Sequence, residues 1–496
     1  MKPDQERTIV MKRPAVSLRP SLLAPLLAAL VLAGCATVPD VPALTAPPPA
    51  QFKDEGPRWT VAAPAEAQDR GAWWKAFADP ALDGLVERAA TNNTTIQEAA
   101  ARLAQARAFA RSTDADRTPQ LGVGVGAGRQ AGANTANGMT PATITTAGAT
   151  LSYEVDLFGR LAHASDAAAL DAQAREALLR STQLLVQAEV AQTYLSLRAT
   201  DAERALVDET VEAYRRTLNL TQRRYQAGDI AELDVARVQT ELASNEAEAL
   251  ALDRRRAGLE HALAVLVGDP ASAFTLQPAE WKTALPQIPA GIPATVLARR
   301  PDVSAAQRTI LAAQARVGSA RAAWFPDLSL TAAGGYASPE LGDLFKWSAR
   351  AWSVGALLSL PIFDGGRREA GVRGAQAQLD GAVASYRGQV LVAFKEVEDQ
   401  LSALRLLQGQ AEAQARAVGS AARATALSES RYRNGMDSQL ELLDARRSEL
   451  RNRREALQVR ATQYQATVAL IRALGGGWDA AAPQKVVGES AVARGS

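Results

Sequence analysis

Cysteine is almost absent: the 496 residues hold one, Cys35. That excludes a disulfide framework and a structural four-cysteine zinc site. Histidine is nearly as scarce, His163 and His261 being the full complement, which leaves little for acid–base or metal chemistry. Aromatic residues make up 5% of a chain that is 47% hydrophobic. So much Ala and Leu beside so few rings points to long, closely packed helices rather than a thick mixed core. Neither sign of charge dominates, with 55 basic against 53 acidic residues; the basic footprint of a nucleic-acid binder is lacking, and no nucleic-acid partner is expected. No run of 18 apolar residues exists, so no transmembrane helix is expected. Phosphate-loop and His-Glu-x-x-His motifs are missing, and the alternating Gly122, Gly124, Gly126 and Gly128 suit a strand instead. The four Met, at 1, 11, 139 and 436, form no cluster for soft metals. No enzyme, catalytic residue, metal site or cofactor is expected.

What is present begins with a targeting segment. Lys2, Arg7, Lys12, Arg13 and Arg19 precede an apolar run from Ser21 to Val31, and Leu32-Ala33-Gly34-Cys35 follows. Basic, apolar and small-residue regions in that order read as a signal peptide over residues 1–34. Leu-Ala-Gly-Cys resembles the bacterial lipobox, which implies diacylglycerol and an N-acyl chain on Cys35 as the new N-terminus. Ala36 in place of Asp implies sorting to the outer membrane. Residues 1–34 carry five basic and two acidic side chains, so the formal net charge of +2 becomes −1 without them. Residues 35–70 are proline-rich and read as an extended tether.

The remainder is one unit used twice. Arg-Tyr-x-x-Gly occurs at 224–228 and again at 431–435, an offset of 207. The same offset relates Pro119 to Pro326, Leu121 to Leu328 and Gly159-Arg160 to Gly366-Arg367. It also relates Val190, Tyr194 and Leu197 to Val397, Leu401 and Leu404. Such an ordered series marks an internal duplication. The first repeat is placed at 71–268 and the second at 294–478, with a Pro-bearing linker at 269–293 and a tail at 479–496.

Each repeat predicts a leading helix (81–115; 294–323), a pair of strands (about 119–156; about 326–362) and a helix hairpin (about 160–268; about 367–474). Leu121, Val123 and Val125 alternate with Gly, as period-two strands do. Residues 160–227 contain neither Pro nor Gly, and 367–434 contain no Pro, so each reads as a helix of roughly 100 Å at 1.5 Å per residue. Phe394, Val397, Leu401 and Leu404 follow the 3-4-3 spacing of a coiled-coil seam. Turns at Gly228 and Gly435 send a second helix back. Four strands cannot close a membrane barrel alone, and open edges in lipid leave backbone groups unsatisfied; strands in the membrane therefore require several copies.

Several motifs resemble those of TolC-like outer-membrane efflux lipoproteins, the outer-membrane factors of tripartite resistance-nodulation-division pumps. They are Trp73-Trp74-x-x-Phe77-x-Asp79-Pro80-x-Leu82, Tyr153-Glu-Val-Asp-Leu-Phe-Gly-Arg160, Arg299-Arg-Pro-Asp-Val303, Ala322-Ala-Trp-Phe-Pro326, Leu360-Pro-Ile-Phe-Asp-Gly-Gly-Arg367 and Ala473-Leu-Gly-Gly-Gly-Trp478. They run along about residues 70–478. The resemblance implies an α+β membrane channel: a homotrimer with a twelve-stranded β-barrel in the Gram-negative outer membrane, continuing into a twelve-helix periplasmic α-barrel. It implies a passive efflux duct for drugs or other small solutes, with a periplasmic adaptor and an inner-membrane pump as partners beside outer-membrane lipid.

In that family the periplasmic helix-hairpin tips close the channel. The segment Arg431 to Asp444 is similar to the inner gate. The resemblance implies that Leu440 forms an apolar constriction and Asp444 an acidic ring, with Glu441 at a second acidic position. Arg431 and Tyr432 then tie neighbouring hairpins. Three converging carboxylates repel, favouring opening or cation binding once the ties release. A type I protein secretion duct is an alternative, though such ducts usually lack a lipid anchor. A pore-less lipid-anchored coiled-coil scaffold is another.

Overall fold

A computed structural model describes residues 70–131, 141–286 and 299–476. The signal segment, Cys35 and its tether, the end of the linker, Trp478 and the tail lie outside the described residues. The chain divides into two compact units.

The first unit takes in Asp114–Ala164 and Gln314–Gln376. Its strands are β1 (Gln120–Gln130), β2 (Ala142–Val155), β3 (Asp327–Ser338) and β4 (Arg350–Ser359). They form one antiparallel sheet in the order β1-β2-β3-β4. Each repeat supplies a hairpin, and β2 pairs with β3 from Thr145↔Ser338 to Val155↔Leu328, joining the two. Directly opposed residues share a face, so the register sorts the side chains. One face carries Leu121, Val123 and Val125 beside Leu151, then Leu330 and Ala332, then Val354, Ala356 and Leu358. The other carries Gly122, Gly124 and Gly126 beside Thr150, Gly148 and Thr146, then Thr331, Ser353 and Gly355, with Ile144 and Leu357 the large apolar exceptions. Every residue of β4 is exposed. At the foot of each hairpin the chain passes from strand to long helix through a glycine with positive φ, Gly159 (75°) and Gly366 (85°), positions 207 apart.

The second unit takes in the described residues of Pro42–Thr113, Ser165–Ala313 and Ala377–Ser496. It opens on a 3₁₀ segment (Arg70–Phe77) and two helices, α1 (Pro80–Asn92) and α2 (Thr94–Ala115). The single leading helix expected over 81–115 is thus two. Asn93 breaks it: its Oδ1 accepts from the Thr95 and Ile96 amides at 2.9 and 3.1 Å, and its Nδ2 donates to Leu266 O at 2.8 Å. That is an N-cap that satisfies orphan amides and cross-links to a distant carbonyl. The long hairpins are α3 (Arg160–Gln226) with α4 (Glu232–Leu266), and α6 (Arg367–Arg433) with α7 (Gln439–Ala473). Both α3 and α6 have 67 residues, and both α4 and α7 have 35. Between the hairpins, α5 (Pro301–Ala322) starts on a proline whose missing amide is an orphan there anyway.

The core gathers around the first repeat and takes in Tyr464, Val468 and Ile471 of α7. Trp73, Trp74, Phe77, Leu82 and Val86 pack with Val190, Tyr194, Leu197, Leu263, Val267 and, from the expected linker, Phe274 and Trp281. The residues 207 positions later (Val397, Leu401, Leu404, Leu470, Leu474) form a second, smaller cluster. Asp79 ties the first together. It caps α1 by accepting from the Ala81 amide at 3.1 Å, and its Oδ2 accepts from Tyr194 Oη at 2.8 Å and Thr283 Oγ1 at 2.7 Å. Burial pushes Tyr194 up to about 12, so it stays a neutral donor. Arg198, Asp201, Arg256 and Glu260 extend the polar chain.

The duplication is visible atom by atom at two glycines. Gly268 (φ 79°) lies so close to Asn92 that an added Cβ would sit 2.5 Å from Asn92 O. Gly475 (φ 87°), 207 residues later, leaves 2.8 Å to Arg299 O; Arg299 is itself 207 beyond Asn92. Gly268→Ala and Gly475→Ala are each expected to cost about 1–3 kcal/mol from backbone strain alone, read as a lowered unfolding midpoint of the purified protein. Gly419→Ala, where an added Cβ meets nothing within 4 Å, is expected to gain about 0.5–1 kcal/mol. Equal midpoints for the three variants would refute the close-approach argument.

Candidate functional site

Both hairpin tips are built by the repeated Arg-Tyr-x-x-Gly. At each, the helix ends on a positive-φ glycine, Gly228 (80°) or Gly435 (70°). The Gly228 amide donates to Tyr225 O and the Asp229 amide to Arg224 O, both at 2.9 Å; Gly435 and Met436 repeat this on Tyr432 O and Arg431 O. This six-to-one and five-to-two pattern satisfies the last carbonyls and needs a residue free to turn left-handed.

The returning helices differ. Ala231 caps α4 with no side-chain bond. Ser438 caps α7 with a full capping box: its Oγ accepts from the Glu441 amide, and the Glu441 carboxylate accepts from the Ser438 amide, both at 3.3 Å. Glu441, a candidate pore charge by sequence, is therefore employed in starting its own helix. The Ser-x-x-Glu spacing was a readable signal for this. Arg431 likewise serves its own turn, with Nε 2.7 Å from Asp437 Oδ1.

Tyr432 reaches across. It is 9% exposed, whereas its counterpart Tyr225 is 45% exposed. Its hydroxyl accepts from Arg224 Nη1 at 3.1 Å and donates to Gln439 Oε1 at 3.2 Å. Gln439 Nε2 donates in turn to Thr221 Oγ1 at 3.1 Å. A buried polar relay thus links the α6–α7 tip to α3 of the same chain. Gln439 was not singled out by sequence, because a glutamine at a helix start looks solvated until its neighbour across the tip is known.

A seam of arginines on α7 continues the link. Arg446 Nη1 donates to Thr217 Oγ1 at 2.7 Å. Arg447 pairs with Glu241 and, at 3.1 Å, with Asp444. Arg453 pairs with Glu209 at 3.2 Å, and Arg454 with Glu203 and Glu248 at 2.7 and 2.6 Å. The Glu241 hydrogen bond outweighs burial and raises the Arg447 pKa further. Burial, helped by the Glu241 charge, pushes Tyr214 beneath this seam up to about 12. Leu440 and Asp444, at i and i+4, share one face of α7, and both are exposed. Position 237, the repeat counterpart of Asp444, is Arg237, which pairs with Asp234 at 3.5 Å. The arrangement can hold or release two hairpins and can present a carboxylate; it holds no nucleophile–base pair. His163 packs against Gly318, and His261 is exposed. Among the described residues no group of His, Cys, Asp and Glu could hold a metal, and no helix is long and apolar enough to cross a membrane.

The model of the outer membrane efflux protein family matches residues 85–269 and 292–476, one match on each repeat. The antibiotic efflux pump outer membrane protein ArpC of Pseudomonas putida is 35% identical over 465 residues, 92% of this chain and 96% of that protein. Outer membrane protein OprJ of Pseudomonas aeruginosa is 35% identical over 476 residues, 95% of this chain and 97% of its own. Among solved structures, the outer-membrane channel OprN superimposes with a TM-score of 0.81 at 31% identity, covering 89% of this chain and 100% of that one. A duplication read from residues, a sheet with one apolar face and matches along both repeats converge: the chain belongs to the outer membrane efflux protein family.

Proposed function

We propose that the protein is the outer-membrane exit duct of a tripartite efflux pump, conducting small solutes passively. The observation that carries this is the four-stranded sheet. Its apolar face is exposed, and its outer strands β1 and β4 have no further partner among the described residues. In hydrocarbon such edges are untenable, whereas in a homotrimer three sheets give a closed barrel of about twelve strands. Three copies of the paired hairpins then make a periplasmic α-barrel of about twelve helices. Cys35 carries the acyl chains that hold the tether in the membrane. A periplasmic adaptor and an inner-membrane pump are the partners. A conduit performs no bond chemistry.

In this reading the tips are the gate. Leu440 narrows the pore and Asp444 lines it with a ring of three carboxylates. Tyr432, through Arg224 and Gln439, holds the α6–α7 tip closed, while Arg431 and Glu441 keep their own turn rigid.

Electron microscopy of purified protein is expected to show a trimeric tube, and gene deletion to sensitise cells to toxic solutes. A non-trimeric particle, or lost protein export with unchanged solute resistance, would overturn the assignment. In planar bilayers Asp444→Asn is expected to reduce cation preference without changing the unfolding midpoint; wild-type selectivity would remove Asp444 from the pore. Tyr432→Phe deletes two hydrogen bonds worth about 0.5–1.5 kcal/mol each, so open-channel conductance is expected to appear more often than in wild type. An unchanged open frequency would show that this relay does not hold the gate.

A further inference from the structure

The two strand connections differ. Residues 131–141, between β1 and β2, contain neither a charged nor an aromatic residue. Residues 339–349, between β3 and β4, hold Glu340, Leu341, Asp343, Leu344, Phe345, Lys346 and Trp347. This second connection is internally organised. Ser338 Oγ donates to Glu340 O at 2.8 Å, the Lys346 amide to Asp343 O at 3.1 Å, and the Ala349 amide to Lys346 O at 3.0 Å. Lys346 Nζ lies 2.6 Å from Asp343 Oδ1. Only Leu344 is turned inward; Phe345 is 73% and Trp347 75% exposed.

The direction of these side chains is fixed by the sheet register. Tyr336 is opposite Ala147 and Arg350, which places it on the face of Leu330 and Val354. The Phe345 ring meets Tyr336 edge-on at 5.6 Å. Arg350, on the same face, lies over the Trp347 ring and donates through Nε to Trp347 O at 3.0 Å. The connection thus folds back over the end of the apolar face and extends it with a patch of Tyr, Phe, Trp and Arg. Rings with polar edges beside long cationic side chains suit a membrane–water boundary. Arg350 has no carboxylate partner among the described residues, and a guanidinium stacked on a ring keeps donors for a phosphate.

We propose that the β3–β4 connection is a membrane-interface anchor. Phe345 and Trp347 seat in the headgroup layer of the outer leaflet, and Arg350 takes a lipid phosphate. The anchor rests on the reading of the sheet as membrane-embedded, and its occupant is lipid because the patch continues the apolar face rather than the polar one. It sets the depth and rotation of β3 and β4 at one point per chain, since the first repeat has no equivalent.

The test uses the full chain in vesicles, with Phe345→Cys or Val123→Cys carrying an environment-sensitive fluorophore. Unsubstituted protein gives the labelling background. The label at 345 is expected to be quenched several-fold more by nitroxide lipid bearing its spin near the headgroup than by aqueous iodide. Arg350→Glu is expected to diminish that difference strongly in phosphatidylglycerol vesicles and less in phosphatidylcholine vesicles, where choline offsets the phosphate charge; an unchanged difference in both overturns the phosphate contact. Quenching at 345 by iodide alone overturns the anchor in favour of a loop in water. Quenching by neither overturns it in favour of burial against another copy. If 345 escapes lipid quenching while 123 does not, only the anchor falls; if both escape, the membrane-embedded sheet falls with it.

Discussion

Main-chain hydrogen bonding between β2 and β3 is the constraint from which the architecture follows. It joins the hairpins of two repeats into one sheet and so fixes β1 and β4 as its outer strands. A sheet has only two edges, and neither can be satisfied by lipid. On the proposed membrane placement, the requirement for further copies therefore lies in the topology itself, before any side chain at an interface is considered. Sorting of side chains by register then makes one face suitable for hydrocarbon and the other for water. The glycines opposite Thr146 and Thr150 keep the second face small.

Duplication supplied the parts, and divergence between the copies supplied the asymmetry. The strand–glycine–helix corners, the left-handed helix ends and the close approaches at Gly268 and Gly475 are repeated nearly unchanged. The second copy alone has the Ser438–Glu441 capping box, the buried Tyr432 and the dense arginine seam of α7. The first copy alone has the tryptophan-rich core with its Asp79–Tyr194 bond. One hairpin is thus built into the main core, and the other joins that core through Tyr464, Val468 and Ile471 of α7 and is tied to α3 and α4 nearer the tips by polar groups.

Much of this was legible in the residues. Spacing gave the repeat, the strand pairs and both glycine turns, because each depends on local backbone chemistry. The break at Asn93 was missed because a long alanine-rich pattern masked a single capping side chain whose other partner, Leu266 O, lies far along the chain. Within the site, Asp444 and Leu440 stood out by motif. The relay through Gln439 and Thr221, and the pairs Arg447–Glu241 and Arg454–Glu248, depend on which helices become neighbours, and no pattern within one helix encodes that. The linker at 269–293 reads as a connector because it holds five prolines, yet Phe274 and Trp281 within it are core residues; composition says nothing of their burial.

The equal lengths of corresponding helices, 67 and 67, 35 and 35, act as a ruler. Removing one heptad from α3 alone would leave Gly228 roughly 10 Å out of step with Gly435 at 1.5 Å per residue. Arg224 could then no longer reach Tyr432, and Arg447, Arg453 and Arg454 of α7 would lose their carboxylates on α3 and α4. The span of the helical part can therefore change only when both repeats lengthen or shorten together, in steps that keep the seam in register. A change in reach calls for matched insertions at corresponding positions of the two repeats.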